Sequence, residues 1–185
     1  DRVLCWQMFH AGGRIAISNP QTHEELISLI GTAKPTFFLA LSHFWSRTYS
    51  DYIKTLSDRV YTKLEPYLSS EVNASKEQIL RELESSPLLY SFADIFDVRD
   101  ELIEELREQW FGGRIFTPVT GGGHISETVL QWMSQVFAPK TTSGSEQGSR
   151  VQNAYGMTEF TGISVNSEIG EAVDLELCDV PEMSL

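Results

Sequence analysis

The stretch RIFTPVTGGGHISETVLQWMSQVF, residues 114–137, decides the fold class of this protein. Its beginning, RIFTPV, is short and apolar, which predicts a strand. Three glycines follow, and SETVLQWMSQVF then predicts a helix that Ser126 caps at its N-terminus. A strand, a glycine loop and a helix in this order are typical of α/β sheets, in which ligands bind beyond the carboxyl ends of the strands.

The stretches on both sides repeat this order of elements. TFFLAL, residues 36–41, is too short and too apolar for a surface helix and predicts a buried strand of a parallel sheet. An amphipathic helix is predicted directly after it, over residues 43–68, and a further strand over residues 151–153. Because strands and helices alternate, the sequence predicts an α/β fold with a mainly parallel sheet flanked by helices.

The remaining stretches are assigned from the same kinds of pattern. The N-terminal part predicts an apolar helix, a Gly-Gly turn and a strand over residues 14–17. Further helices are predicted within residues 19–35, 76–85 and 97–113, the second of them opened by a capping box from Ser75 to Gln78. The polar stretch 140–150 predicts a surface loop, and the end of the chain predicts two strands with a turn near Gly170.

The composition excludes several classes of partner. The chain carries a formal net charge of −12 over 185 residues, and a field of this sign repels nucleic acid and anionic membranes. No apolar run approaches the length of a membrane span and no signal peptide is visible, so we expect a cytoplasmic protein. Cys5 and Cys178 lie far apart in apolar surroundings, which favours two buried thiols over a disulfide or a metal pair.

The segment VQNAYGMTEFTG, residues 151–162, is the first candidate site. Tyr155 offers a flat face for a purine, the Thr158 hydroxyl suits a phosphate oxygen, and Glu159 can bind Mg²⁺, which prefers carboxylates. The alternative for the same residues is a core tyrosine, a threonine that caps a turn and a solvated glutamate. The spacing alone does not decide between a turn and a nucleotide site.

The glycine loop Gly121, Gly122 and Gly123 is the second candidate site. Glycines allow a ligand to approach the backbone, and the N-terminus of the following helix favours negative charge. The loop is not a Walker motif, because no Gly-Lys-Ser/Thr follows, and it lacks the dinucleotide spacing. The alternative is a tight turn that requires glycine conformations.

Together, YGMTE and TGGGHIS resemble two motifs of the adenylate-forming superfamily, which includes acyl-CoA synthetases, luciferases and the adenylation domains of carboxylic acid reductases. The stretches DRVLCWQMFHAGGRI, AKPTFFLALSHFWSRTY and LCDVPEM resemble the family as well. The resemblance extends over most of residues 1–185 and implies the central part of the large N-terminal domain of such an enzyme. The short spacing from Thr158 to LCDVPEM, together with LREQWFGGR, is more similar to the reductases, although ligase and reductase both stay open.

The resemblance implies an enzyme that binds ATP, Mg²⁺ and a carboxylic acid, which we expect to be fatty or aromatic. It implies that the carboxylate attacks the α-phosphorus to form an acyl-adenylate, and that coenzyme A or a carrier phosphopantetheine then accepts the acyl group. Carried over by motif, Tyr155 would stack on adenine, and Gly156 would keep the backbone close to the nucleotide. Thr158 would contact a phosphate, and Glu159 would bind the Mg²⁺. The glycine loop would line the adenine and acyl side with Gly121, Gly122 and Gly123.

Three places depart from the family pattern. His124 stands where the family usually has proline. It would contact either the acyl group, together with Gly123, or the nucleotide. The alternative is a structural role for this histidine. Ser42 and His43 stand where many members have Pro-Arg. Residues 140–150 are interpreted as an insertion before the nucleotide motif.

Several parts of the family pattern do not occur in the sequence. It contains no Pro-Lys-Gly phosphate loop, no downstream Thr-Gly-Asp and no C-terminal domain with a catalytic lysine. We therefore expect an internal segment of a larger enzyme, which makes no adenylate without the remainder of the adenylation domain and the C-terminal domain. The alternative hypothesis is a non-catalytic nucleotide-binding or scaffold remnant of the same fold.

Overall fold

The computed structural model describes residues 10–67, 76–138, 151–156 and 163–169. The helices are α1 His23–Ala33, α2 Ser42–Leu64, α3 Lys76–Ser85, α4 Leu88–Ile95, α5 Val98–Glu105 and α6 Glu127–Val136. The strands are β1 Phe37–Leu41, β2 Thr117–Gly121, β3 Gln152–Tyr155, β4 Ser164–Val165 and β5 Glu168–Ile169. A 3₁₀ turn, Glu65–Tyr67, follows α2, and a π-helical turn, Leu106–Trp110, follows α5.

The strands form one sheet in the order β1–β2–β3–β4–β5. The three longer strands, β1 to β3, run parallel, whereas β4 and β5 are added antiparallel. The register places Leu41, Gly121 and Ala154 in one row across the parallel strands. The predicted α/β fold is confirmed, and the carboxyl ends of the three parallel strands meet at one edge of the sheet.

Two helices, α1 before β1 and α6 after β2, begin directly after residues whose side chains cap them. Thr22 Oγ1 accepts a hydrogen bond from the Glu25 N–H at 3.1 Å, and α1 ends before Lys34, whose φ of 48° is left-handed. Ser126 Oγ accepts from the Val129 N–H at 3.4 Å, so α6 begins at Glu127, directly after its cap. Local side chains therefore determine both helix starts.

Trp45 lies at the centre of the core, between the helices and the sheet. Its side chain is fully buried, and four phenylalanine rings have centroids 5.1–5.8 Å from its own: Phe38, Phe44, Phe111 and Phe137. Its indole Nε1 donates a hydrogen bond to the carbonyl oxygen of Val119 at 3.3 Å. This one side chain joins α2 to β2 through both packing and a hydrogen bond.

Two strand predictions are wrong in detail. Residues 14–17 form no strand, and Ile17 is 91% exposed, because no strand of the described residues pairs with this stretch. β1 is buried on one face alone: Leu39 and Leu41 are about half exposed at 45% and 49%. A turn that was not predicted joins β4 to β5 at Asn166 and Ser167, both left-handed with φ of 52° and 67°. Two consecutive left-handed residues suit the twist of a two-residue hairpin.

The predicted helices within the described residues are present, but one of them is divided in two and one observed helix was not predicted. The helix predicted within residues 97–113 is α5 followed by the π-helical turn, and α4 was not predicted from the sequence. No helix in the described part of the chain has both the length and the apolar composition that a membrane span requires. Several predictions lie outside the described residues: those for the N-terminal helix except its end, the cap Ser75, the loop 140–150, Thr158 and Glu159, the turn near Gly170 and the two cysteines.

His23, the first residue of α1, packs against α2, and its protonation couples the stability of the fold to pH. Its Nε2 lies 3.3 Å from Thr48 Oγ1 and 3.6 Å from Asp51 Oδ2, and the side chain is almost fully buried. Burial, and then the charge of Arg47, lower the pKa of His23 below its ordinary value of 6.5, while Asp51 and Glu24 oppose this shift. The folded chain therefore favours the neutral imidazole.

We expect the free energy of unfolding to fall as the pH drops below about 6.5, because His23 then binds a proton more readily in the unfolded chain than in the folded one. Denaturant titrations between pH 8 and pH 5 measure this dependence. His23→Gln should flatten the curve in this range, whereas replacement of the exposed His43 serves as the matched control. An unchanged slope in His23→Gln would contradict the assignment.

Candidate functional site

The carboxyl edge of the parallel strands brings the two candidate segments together. β2 ends at Gly121 and continues into the glycine loop, while β3 ends one residue beyond Ala154 at Tyr155. Because Gly121 pairs with Ala154, the loop leaves the sheet beside Tyr155. The sequence places these segments more than thirty residues apart, and the sheet register makes them neighbours.

The backbone of the glycine loop is packed too closely for side chains. A Cβ at Gly121 would lie 2.5 Å from the carbonyl oxygen of Ala154. Gly122 has a left-handed φ of +73°, and a Cβ there would lie 2.6 Å from Leu41 Cδ2. The loop is thus a tight turn that requires glycine. Such a turn is compatible with ligand binding, because Gly122 and Gly123 are exposed.

Ser42 contacts the loop from below, a contact that the sequence did not reveal. A Cβ at Gly123 would lie 2.7 Å from the Ser42 hydroxyl oxygen, and Ser42 is itself buried. The next residues in the two chain segments, His43 and His124, are both exposed. One of the departures from the family pattern, Ser42, thus lies against the glycine loop, and His124 is not a core residue.

Tyr155 is 60% exposed at the end of β3, so its interpretation as a core residue is wrong in this structure. Its carbonyl oxygen accepts a hydrogen bond from the Ile163 N–H at 2.9 Å, and it pairs with Ser164 of β4. Gly156 follows as an exposed residue outside the strand. Thr158 and Glu159 lie outside the described residues, so their predicted roles stay predictions.

The arrangement suits a flat ligand with a polar tail. An exposed tyrosine ring stands beside an exposed stretch of glycine backbone, and α6 begins four residues beyond Gly123. Among the described residues, no group of three or more histidine, cysteine, aspartate or glutamate side chains is arranged to hold a metal ion.

The tight packing of the loop predicts unequal effects of two similar substitutions. Gly121→Ala should lower the free energy of unfolding by about 1–3 kcal/mol, because its methyl group would meet a backbone oxygen that cannot rotate away. Gly123→Ala should cost less, because it meets the Ser42 hydroxyl alone. Thermal and denaturant unfolding of the variants measure both effects.

The double variant Ser42→Ala with Gly123→Ala is the control for this pair. Removing the hydroxyl leaves the Ser42 Cβ 4.0 Å from the new methyl group, an ordinary contact, so stability should recover. Ser42→Ala combined with Gly121→Ala should show no such recovery. Equal costs for the two single variants, without recovery in the first double variant, would contradict the described packing.

No family model matches the sequence, and a search of curated proteins gives no match. Solved structures do match. The didomain of adenylation and carrier domains of carboxylic acid reductase from Segniliparus rugosus, in complex with AMP, aligns with 98% of the chain at 20% identity and a TM-score of 0.53. The adenylation domain of the Segniliparus rugosus reductase, in complex with AMP and a co-purified carboxylic acid, aligns with 98% at 20% identity and a TM-score of 0.52. The adenylation domain of the carboxylate reductase from Mycobacterium chelonae aligns with 91% at 19% identity and a TM-score of 0.50.

The similarity defines the class of fold. The chain spans 20–22% of the length of these solved structures. It therefore has the fold of a part of the adenylation domains of carboxylic acid reductases, as its motifs predict. At identities of 19–20% the comparison establishes the fold, and the activity is a separate question.

Proposed function

We propose that this chain is a segment of an enzyme that uses ATP to activate a carboxylic acid as an acyl-adenylate. The observation that carries the proposal is the register that sets the glycine loop beside Tyr155 at the carboxyl edge of the sheet. Two solved structures with this fold contain AMP, and one of them also contains a co-purified carboxylic acid. The fold and the position of the two motifs thus support the same activity.

The proposed roles follow the geometry of the described residues where it is known. The exposed ring of Tyr155 stacks on adenine, and Gly156 keeps the backbone close to the nucleotide. The glycine loop lines the adenine and acyl side, with Gly123 and His124 toward the acid. Thr158 donates a hydrogen bond to a phosphate oxygen, and Glu159 binds the Mg²⁺ that accompanies ATP.

The chemistry that these residues serve has two steps. In the first, a carboxylate oxygen attacks the α-phosphorus, the bond to the β-phosphate oxygen breaks, and pyrophosphate leaves. In the second, the sulfur of coenzyme A or of a carrier phosphopantetheine attacks the acyl carbon, and AMP leaves. In the first step, the Thr158 hydroxyl would donate a hydrogen bond to the phosphate oxygens, and Glu159 would hold the Mg²⁺ that offsets their developing negative charge.

Carboxylate-dependent exchange of labelled pyrophosphate into ATP tests this proposal in the full-length protein. Exchange with fatty or aromatic acids is the expected result, because formation of the adenylate is reversible. A complete lack of exchange over a broad panel of acids would overturn the proposal. Subsequent addition of coenzyme A or of a carrier domain then identifies the thiol acceptor.

A second candidate function is a nucleotide-binding or scaffold module without catalysis. The departures at Ser42, His43 and His124 favour it, because Ser42 lies against Gly123 and His124 directly follows the glycine loop. Calorimetry with AMP and exchange measurements on the full-length protein separate the two candidates. Clear binding without exchange would support the second function, and exchange would exclude it.

A further inference from the structure

A polar cavity lies among the helices, apart from the candidate site, and none of its lining residues belongs to the glycine loop. It has a volume of about 220 Å³ and opens between α2, α4, α5 and α6. Aromatic side chains form half of its wall: Tyr49, Tyr52, Tyr90 and Trp132. The other half is polar: Arg99, Thr128, Gln131 and Gln135.

The Tyr49–Tyr90 pair leaves one hydroxyl hydrogen over. The hydroxyl oxygens of Tyr49 and Tyr90 lie 2.7 Å apart, so one donates to the other and one hydrogen stays unused by the pair. Burial raises the pKa of Tyr49 above its ordinary value and that of Tyr52 to about 12. Both therefore keep their hydroxyl hydrogens at neutral pH.

Arg99 brings a positive charge to the same wall. It donates hydrogen bonds to Gln135 Oε1 at 3.0 Å and to Asp94 Oδ1 at 3.4 Å, and its guanidinium lies 5.5 Å from the centre of the Tyr90 ring. It is also a hydrogen-bonding neighbour of Tyr52. Since Asp94 is 58% exposed and its contact is long, it offsets the charge of Arg99 incompletely.

Trp132 supplies the unusual feature of this cavity. The residue is 3% exposed, and its ring packs against Tyr49 and Tyr52 at centroid distances of 5.5 and 5.7 Å. Its indole Nε1 is buried without a hydrogen-bond partner among the described residues. A buried donor without an acceptor is costly, so the site favours an acceptor from outside the chain.

We propose that this cavity binds the carboxylate of a small aromatic acid. The indole N–H of Trp132 and the hydroxyl hydrogen that the Tyr49–Tyr90 pair does not use are donors, which suits an acceptor with several lone pairs. The charge of Arg99 favours an anion over a neutral acceptor. The aromatic walls favour a flat apolar body, and the cavity volume accommodates a benzoate-sized molecule. The site is independent of the proposed adenylate chemistry.

The indole N–H resonances of ¹⁵N-labelled full chain test the site, with benzoate as the probe and Trp132→Phe to assign the resonance. Benzoate should shift the Trp132 signal saturably. The Trp45 indole, which already donates to Val119, is the internal control and should not respond. Benzamide, which has the same shape without the charge, should bind about tenfold or more weakly. An unresponsive Trp132, a response without saturation, or equal binding of benzamide would overturn the proposal.

A pair of arginine variants tests the source of the preference for an anion. Arg99→Gln should weaken benzoate by about tenfold or more and leave benzamide nearly unchanged. Arg47→Gln is the matched control, because Arg47 is an exposed arginine of α2 that pairs with Glu24 outside the cavity. Equal losses in both variants would contradict the site. If Arg99→Gln does not fold, Tyr90→Phe replaces it and should weaken both probes several-fold; unchanged binding there overturns the proposal.

Discussion

Replacing Glu159 with alanine is expected to lower carboxylate-dependent ATP–pyrophosphate exchange of the full-length protein by roughly 100- to 1,000-fold. The physical reason rests on the proposed function: the Glu159 carboxylate would hold the Mg²⁺, and the Mg²⁺ would neutralise the negative charge that grows on the phosphate oxygens. Exchange rates at several Mg²⁺ concentrations measure the loss. Circular dichroism of the variant should match that of the parent.

The matched control for this variant is Glu168→Ala. Glu168 is an exposed glutamate on β5, nine residues further along the chain, and it should lose little exchange activity. Equal activities of the two variants would remove Glu159 from the site. Loss of exchange together with loss of the circular dichroism signal would instead place Glu159 in the fold rather than in the chemistry.

Replacing Trp45 with alanine is expected to lower the free energy of unfolding by about 3–5 kcal/mol. The substitution empties the space between four phenylalanine rings and leaves the Val119 carbonyl without its indole donor. The neighbouring rings come from α2, β1 and the segments after the π-helical turn and after α6, so they cannot collapse as one unit. Denaturant unfolding measures the change.

Trp45→Phe separates packing from hydrogen bonding in this core. It keeps an aromatic ring and removes the N–H, so its cost should lie well below that of the alanine variant. Trp110→Ala is a further comparison, because Trp110 is only partly buried beside the same core. A cost of Trp45→Ala no greater than that of Trp110→Ala would contradict the central place of Trp45.

The strand, loop and helix around the three glycines were predictable because their causes are local. Ser126 caps the helix that follows it, and the apolar spacing behind it repeats every turn. The parallel sheet followed from the alternation of strands and helices. The stretch 14–17 has strand-like residues and forms no strand, because a strand also needs a neighbour to accept and donate its backbone hydrogen bonds.

The sequence predicted which residues belong to the candidate site, but it did not predict their burial or their contacts. The glycine loop and Tyr155 were assigned from motifs, and the register that makes them neighbours agrees with that assignment. The burial of Ser42 beneath Gly123 has no signal in the sequence, because it depends on the relative height of β1 and β2. The exposure of Tyr155 and His124 likewise follows from the end of the sheet rather than from their sequence neighbours.

The sequence by itself determined the strand, loop and helix around the three glycines and the alternation of strands and helices that defines the fold class, because capping, apolar period and turn chemistry act over a few residues. The tertiary structure alone decided which distant residues touch. It set the indole of Trp45 against Val119, 74 residues away, and Tyr49 against Tyr90, 41 residues away. It also left the indole N–H of Trp132 without a partner among the described residues, because the rings of Tyr49 and Tyr52, from a distant helix, pack against its ring.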